Sequence, residues 1–177
     1  SEGLGDTLLA GFVRVLDRRG HQAHLGLGVS APTGETDLTL SGTPTGLVQD
    51  YGMQLGSGTW DLKPSATYLG SHDRWFWGAQ LAGTVRLESL NAAGYRLGDL
   101  WETSLWSGLR LRDWLSATVR GVRTWQSDIE GAFTAPAARS ASTDFPANYG
   151  GRRWDLGLGF AAHVPHGEFA GHGLSIE

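Results

Sequence analysis

The chain contains no cysteine, one methionine and six prolines, and only 18% of its residues are charged. Without cysteine it has no disulfide framework, no thiolate metal site and no thiol nucleophile. Its net charge of -4 provides no basic surface for nucleic acid. No stretch approaches the roughly 18 consecutive apolar residues of a membrane helix, so strands would have to carry any membrane role.

What the chain does contain is glycine, 27 of 177 residues, and a repeated alternation of apolar and polar positions. Glycine without a fixed period excludes collagen, and 40% hydrophobic content argues against disorder. The alternation covers residues 22–30, 60–69, 75–87, 101–111, 115–125 and 154–164, with less regular segments at 7–16 and from 172 onward. A period of two indicates strands. We therefore predict an all-β, antiparallel up-and-down fold with about eight strands, forming one domain over residues 1–177.

The connections between these strands alternate in length. Short ones lie at 17–20, 71–74, 112–114 and 165–171, and long ones at about 31–58, 88–99 and 126–153. Short turns at one end and long loops at the other are typical of a transmembrane β-barrel in the bacterial outer membrane. A soluble sandwich would not show this alternation. The alternative is a soluble β-barrel that binds lipid or another ligand.

The tryptophans occupy both ends of the predicted strands, which is where a barrel places its interface aromatics because an indole is apolar with a polar N–H. Four precede or follow long loops and three lie beside short turns. These interface candidates are Trp60, Trp101, Trp125 and Trp154 at the loop end, and Trp75, Trp77 and Trp114 at the turn end. The eighth, Trp106, lies in mid-strand on the opposite parity. We expect outer-membrane lipids and lipopolysaccharide as partners.

Strand polarity adds an expectation about completeness. If the short turns are periplasmic, Ser1 and Glu177 both lie at the extracellular end, whereas intact barrels usually have periplasmic termini. The chain also does not end in an amphipathic strand closing on an aromatic residue. We therefore expect an internal stretch of a longer barrel, incomplete at both ends.

Several glycine-rich motifs carry a family resemblance. They are GLGDT at residues 3–7, GLGVSAPTG at 26–34, LGSGTWDL at 55–62, YRLGD at 95–99 and GGRRWDL at 150–156. In order and spacing they resemble the outer-membrane transporter family grouped with the phenol meta-pathway degradation proteins. The resemblance covers nearly the whole chain. It implies relatives that are longer at both ends and a part in the passage of small, often aromatic or hydrophobic, solutes.

Charged residues fall on the parity opposite the leucines in four consecutive strands. The lumen-lining candidates are Asp61, Lys63, Arg86, Glu102, Arg110 and Arg120. Arg or Lys facing lipid at the midplane would cost about 2–4 kcal/mol each, which is reason enough for such residues to point inward. They either line a solute path and set its selectivity, or form an ion-pair network that fills the lumen and conducts nothing. Both a channel or transporter and a non-conducting structural or binding barrel therefore remain open.

Other chemistry has little support in the sequence. His24 and His163 share the inward parity but lack the spacing of a recognised metal site, so we expect no metal and no cofactor. Ser30, His24 and Asp61 could in principle converge as a hydrolase triad, although serine and aspartate are ordinary lumen residues, and we expect no enzyme. Loop carboxylates could bind calcium or bridge lipopolysaccharide through cations, but solvated charge is the simpler account. These carboxylates are Asp37, Asp50, Asp128 and Glu130.

Overall fold

The computed structural model describes residues 3–40, 46–137, 141–164 and 172–176. Eight strands form one antiparallel sheet, and two very short strands form a separate ribbon. The sheet strands are β1 (Thr7–Arg18), β2 (His21–Ala31), β3 (Asp61–His72), β4 (Trp75–Arg86), β6 (Leu100–Arg112), β7 (Leu115–Gln126), β9 (Gly151–His163) and β10 (Gly173–Ile176), and the ribbon pairs β5 (Tyr95–Arg96) with β8 (Glu130–Gly131). No helix in the described part of the chain is long and apolar enough to cross a membrane.

The predicted all-β, up-and-down fold with eight strands is confirmed. The strands pair in chain order, β1-β2-β3-β4-β6-β7-β9-β10, and every pairing is antiparallel. Two-residue turns connect β1 to β2, β3 to β4 and β6 to β7. Gly20 and Asp73 adopt positive φ angles of 76° and 51° there, as tight hairpin turns require. The predicted short connection at 165–171, with His166, and the terminal residues Ser1 and Glu177 lie outside the described residues.

The described sheet is open. β1 and β10 form its two edges, and over the residues described here neither edge has a second neighbour. β10 covers only the turn end of β9, where Gly173 pairs with His163 and Ile176 with Phe160. The sheet itself is therefore established, whereas closure into a barrel is part of the proposal below.

The two faces of the sheet differ in chemistry. We call one the leucine face, which carries Leu25, Leu27, Leu81, Val85, Leu105, Leu109, Leu156, Leu158 and Phe160. The other, the polar face, carries Ser30, Asp61, Lys63, Thr84, Arg86, Glu102, Ser104, Arg110 and Arg120. Of these nine residues Val85 and Leu109 are half-buried, and the other seven are exposed.

Large aromatic rings lie across glycines of the neighbouring strand. Five such pairs stand directly opposite each other in the register: Phe12 with Gly26, Trp77 with Gly70, Phe76 with Gly108, Trp106 with Gly78, and Trp101 with Gly83. A Cβ atom added at any of these glycines would overlap the ring opposite. The glycines are therefore the space in which the rings pack, and the cross-strand pairs stabilise the register.

Candidate functional site at the loop end of the sheet

The three long connections fold together into a compact unit, which we call the loop cap: residues 46–60, 87–99 and 127–137, with 141–150. Its buried centre consists of Tyr51, Ala93, Tyr95 and Ile129. The β5–β8 ribbon joins the second connection to the third, and Val48 bridges to Ala137. The largest apolar cluster of buried side chains thus lies beside the sheet rather than within it.

Aromatic packing holds the cap together. The Tyr51 ring stacks on Phe133 with centroids 4.4 Å apart and meets the edges of Tyr95 at 4.9 Å and Tyr149 at 5.6 Å. Tyr95 is 0% exposed, and burial raises the pKa of its hydroxyl to about 12. The Asn91 side chain lowers this pKa in part, although it lies outside hydrogen-bond geometry with the hydroxyl. The stacked and edge-to-face ring contacts, together with the raised pKa, are typical of a well-packed aromatic cluster that is shielded from solvent.

Asp6 connects the first strand to this cap. Its Oδ1 accepts from the backbone N–H of Gly34 at 2.9 Å, and its Oδ2 accepts from the backbone N–H and the hydroxyl of Ser57 at 2.8 and 2.9 Å. A carboxylate that satisfies backbone donors in this way fixes two loop segments on one residue. The chain leading into β1 is therefore fastened to the first long loop.

Asp61 is the buried acid of the site. Its Oδ1 accepts from the Thr59 hydroxyl at 2.8 Å, and its Oδ2 lies 3.2 Å from the Ser57 hydroxyl, whose single proton it shares with Asp6. Arg86, directly opposite on β4, forms an ion pair with Asp61. The Asp61 side chain is only 2% exposed and the Arg86 side chain 12%. Because both are buried, each charge needs the other as its partner.

A second layer of hydrogen bonds holds Arg86 in place. Its backbone N–H donates to Asp99 Oδ1 at 2.9 Å, while Arg96 donates to the same oxygen at 2.8 Å and to the Arg86 carbonyl at 3.1 Å. Arg96 also pairs with Glu130 at 3.4 Å across the ribbon. The ion pair on the sheet and the ribbon in the cap thus belong to one connected network.

A cleft of about 470 Å³ opens between this network and the cap. The side chains of Asp6, Asp61, Lys63 and Arg86 line it, together with Tyr51. Lys63 Nζ donates to Thr84 Oγ1 at 3.1 Å and has no carboxylate partner among the residues the structure describes. Besides the Asp61–Arg86 ion pair, the cleft wall therefore carries one further cation, Lys63, and one further carboxylate, Asp6.

Further along the polar face, space is occupied by aromatic rings. Trp106 and Phe76 lie over Gly78 and Gly108, and Arg120 donates to the Ser104 hydroxyl at 3.4 Å. Trp106 and Phe76 also line a smaller cavity of about 360 Å³ near the turn end. The polar face is thus more open at the cleft than in its middle.

All six lumen-lining candidates lie on the polar face, but the structure brings only some of them together. Asp61 and Arg86 form the ion pair, and Lys63 lies two residues along β3 from Asp61. Glu102 is half-buried, whereas Arg110 and Arg120 are exposed. Whether these residues line a lumen stays a prediction.

The tryptophan candidates lie at the two ends of the sheet. At the loop end, Trp101 pairs with Trp125, Trp154 follows on β9 and Trp60 directly precedes β3. At the turn end, Trp75 and Trp77 open β4, and Trp114 lies in the β6–β7 turn. The exposed members of the set are Trp60, Trp75, Trp114, Trp125 and Trp154, and Trp77 and Trp101 are half-buried.

Sequence reasoning missed a polar contact at the turn end of the leucine face. His21 Nδ1 lies 2.7 Å from the Tyr68 hydroxyl, and the two rings stack with centroids 6.1 Å apart. Trp77 meets the His21 ring edge-on at 6.3 Å. The register would be needed to find this contact, because His21 and Tyr68 are 47 residues apart in sequence.

The triad considered from the sequence does not assemble. Ser30 stands beside Asp61 in the register, but His24 lies on the same strand as Ser30, six residues away. At about 3.3 Å per residue that separation is roughly 20 Å. Among the described residues, no three histidines or carboxylates gather as metal ligands.

Comparison with protein-family models gives no match to this chain, and no curated protein is significantly similar to it. The resemblance to the outer-membrane transporter family therefore stays a prediction that rests on the motifs quoted above.

Proposed function

We propose that the chain is part of the wall of a bacterial outer-membrane β-barrel, with its leucine face against lipid and its polar face toward the lumen. The observation that carries this proposal is the inverted burial of neighbouring residues. Ser104 is 1% exposed, whereas Leu105, the next residue on β6, is 59% exposed. Soluble proteins rarely present so continuous an apolar surface, and lipid would cover it.

The spacing of the two tryptophan rows supports the same placement. Trp125, on β7, lies eleven positions after Trp114, which directly precedes that strand. At about 3.3 Å per residue and a strand tilt of roughly 40°, the two rings lie about 28 Å apart along the membrane normal. That height matches a hydrocarbon core of about 30 Å.

The edges of the sheet must then be paired. A backbone N–H or C=O exposed to hydrocarbon has no water to bond, so a spanning sheet has to close. We propose that further strands pair with β1 and β10 and make a larger barrel. Its surroundings would be outer-membrane lipids and lipopolysaccharide, with no nucleic acid partner.

For activity we propose the passage of small solutes, aromatic or hydrophobic ones included, with the cleft at the loop end as part of the path. The cleft lies where the cap meets the polar face, and its wall combines Lys63 and Arg86 with the Tyr51 ring. Charged groups in such a position set the selectivity of a pore.

A non-conducting structural or binding barrel is the second candidate, and a specific observation favours it. Trp106, Phe76 and Phe12 all occupy the polar face, where they reduce the free space. In a narrow barrel these rings would close the lumen.

Membrane fractionation and conductance together test the proposal. The protein expressed from its complete coding sequence should appear in the outer-membrane fraction and migrate differently on gels before and after heating. Discrete conductance steps in planar bilayers are expected for a channel. Outer-membrane location without steps supports the structural candidate, and recovery in the soluble fraction rejects both in favour of a soluble ligand binder.

A further inference from the structure

Two arginines and two tryptophans form a crossed arrangement at the loop end of the leucine face. Arg123 pairs with Trp154, and Trp125 pairs with Arg152, so that each arginine is diagonal to the other across β7 and β9. The Arg123 guanidinium lies 5.1 Å from the centroid of the Trp154 ring. We call these four residues the Arg–Trp cluster.

All four residues of the Arg–Trp cluster are exposed on the leucine face. Trp154 is 71% exposed, and Trp125, Arg123 and Arg152 are exposed as well. β10 does not reach this part of β9, because its pairing begins at Phe160. In the described structure the cluster therefore lies beside an open edge.

The two positive charges in this position have no carboxylate partner within the described chain. Diagonal neighbours on a sheet have Cα atoms roughly 7–8 Å apart, where like charges repel. Neither Arg123 nor Arg152 forms an ion pair with a described carboxylate. Asp155, the nearest carboxylate along β9, points to the polar face and pairs with Arg153 at 2.8 Å.

Their depth limits what the ligand can be. Arg123 is three residues from the end of β7 at Gln126, or about 10 Å along the strand. Arginine is costly at the bilayer midplane but costs only about 0–1 kcal/mol near the interface. In a membrane the two guanidinium groups would therefore lie at headgroup level, next to the indole rings.

We propose that the Arg–Trp cluster binds the phosphate of a phosphorylated glycolipid headgroup in the outer leaflet. A guanidinium presents a planar fork of donors that matches phosphate oxygens, and one phosphate between Arg123 and Arg152 would neutralise both. The Trp125 and Trp154 rings provide the apolar surface for the adjoining sugar and acyl carbons. The inference rests on the proposed membrane placement and adds a specific lipid class to it.

The test compares four forms of the full-length protein in detergent: wild type, the double variant Arg123→Gln/Arg152→Gln, Arg153→Gln, and Arg123→Lys/Arg152→Lys. Arg153 is the matched control, because it is exposed on the same strand but faces the other side of the sheet. Binding of bisphosphorylated lipid A is measured by native mass spectrometry. We expect the double variant to bind at least about tenfold more weakly and Arg153→Gln to bind like wild type. Arg123→Lys/Arg152→Lys, which keeps the charge without the fork, should fall between them.

Two further ligands separate the sources of phosphate. Dephosphorylated lipid A should bind wild type as weakly as lipid A binds the double variant. Inorganic phosphate at the same concentration should bind none of the forms. Equal binding of inorganic phosphate would assign the site to a free anion and overturn the lipid inference.

Failure of this inference can be told from failure of the proposed function. A double variant that remains in the outer membrane, keeps its heat-dependent gel shift and still binds lipid A like wild type overturns the inference alone. An equal loss in Arg153→Gln also overturns it, since the effect would then be general charge. Wild-type protein in the soluble fraction overturns the membrane placement, and with it the assignment of a lipid headgroup.

Discussion

Replacement of Gly78 by alanine should destabilise the sheet, although alanine is normally the better residue in a strand. Gly78 lies opposite Trp106, and a Cβ at Gly78 would overlap the indole ring. The ring would have to move by about 1 Å or more to regain an ordinary carbon–carbon separation of roughly 3.5–4.0 Å. Forced shifts of this kind cost about 1–3 kcal/mol, against a gain of roughly 0.5–1 kcal/mol from replacing glycine.

Gly121→Ala is the matched control. Gly121 also lies inside a strand, and a Cβ there would meet nothing within 4 Å. Because the backbone contribution is similar at both positions, the difference between the two variants isolates the overlap with Trp106. We expect Gly121→Ala to be neutral or stabilising and Gly78→Ala to be less stable than Gly121→Ala by about 1–3 kcal/mol.

Urea unfolding followed by tryptophan fluorescence measures this difference, in detergent or lipid if the chain needs them. A double-mutant cycle completes the test. In a Trp106→Leu background the Cβ has more room, so Gly78→Ala should lose most of its cost. Equal free energies of unfolding for Gly78→Ala and Gly121→Ala would refute the view that glycines on this sheet are kept for ring packing.

Three other predictions follow from the loop end and the polar face. Arg86→Ala should lower the free energy of unfolding by about 3–5 kcal/mol, because it leaves the buried Asp61 without its ion-pair partner. Asp61→Asn/Arg86→Met should recover much of this loss in the same urea assay. Equal losses in Arg86→Ala and in the double variant would contradict the pairing. Because folding raises the pKa of Tyr95 to about 12, the Tyr95 hydroxyl makes its full contribution to the free energy of unfolding below pH 10. Between pH 10 and 12 the free energy of unfolding should fall by up to about 1.4 kcal/mol per pH unit. Tyr95→Phe should reduce this slope when unfolding is measured as a function of pH. Arg110→Ala should change the free energy of unfolding by less than about 0.5 kcal/mol, because Arg110 is exposed. If the polar face lines the solute path, the same variant should shift the reversal potential in planar bilayers. An unchanged reversal potential would remove Arg110 from the solute path.

The strands and the parity of their side chains were predictable because both are local properties. A period of two assigns each residue to one face without knowledge of its neighbours. Leu105 and Ser104 were thus placed on opposite faces from the sequence alone. The turns were equally local, since Gly20 and Asp73 occur where a two-residue turn is needed.

The packing within each face was not predictable, because it depends on register. Asp61 and Arg110 share a face and a charged character, yet Asp61 is buried in an ion pair and Arg110 is exposed. The pairing of Trp106 with Gly78 likewise follows from which residues stand opposite in β4 and β6. A shift of two residues would have placed Phe76 or Gln80, not Gly78, opposite Trp106. Such a shift keeps every side chain on its own face, so the sequence pattern alone does not exclude it.

The loop cap escaped prediction for a different reason. Tyr51, Tyr95 and Tyr149 come from three separate connections and follow no periodicity, so each looks like an isolated loop aromatic. Only the folded chain brings them together. The sequence interpretation of these segments as long loops was right about their position and silent about their packing.

The position of the cap has a consequence for the proposed path. Asp6, Ser57 and Asp61 join the cap to the sheet through hydrogen bonds, and Asp61 in turn holds Arg86. A cap fastened in this way cannot swing aside without breaking the Ser57 hydrogen bonds to Asp6 and Asp61, which would leave buried polar groups unsatisfied. Under the proposed function, a solute arriving from the loop side would therefore pass beside the cap through the cleft, whose wall includes Lys63 and Asp6. Loss of the Asp61–Arg86 pair would be expected to widen that route as well as to destabilise the sheet, so conductance and stability should change in opposite directions in Arg86→Ala.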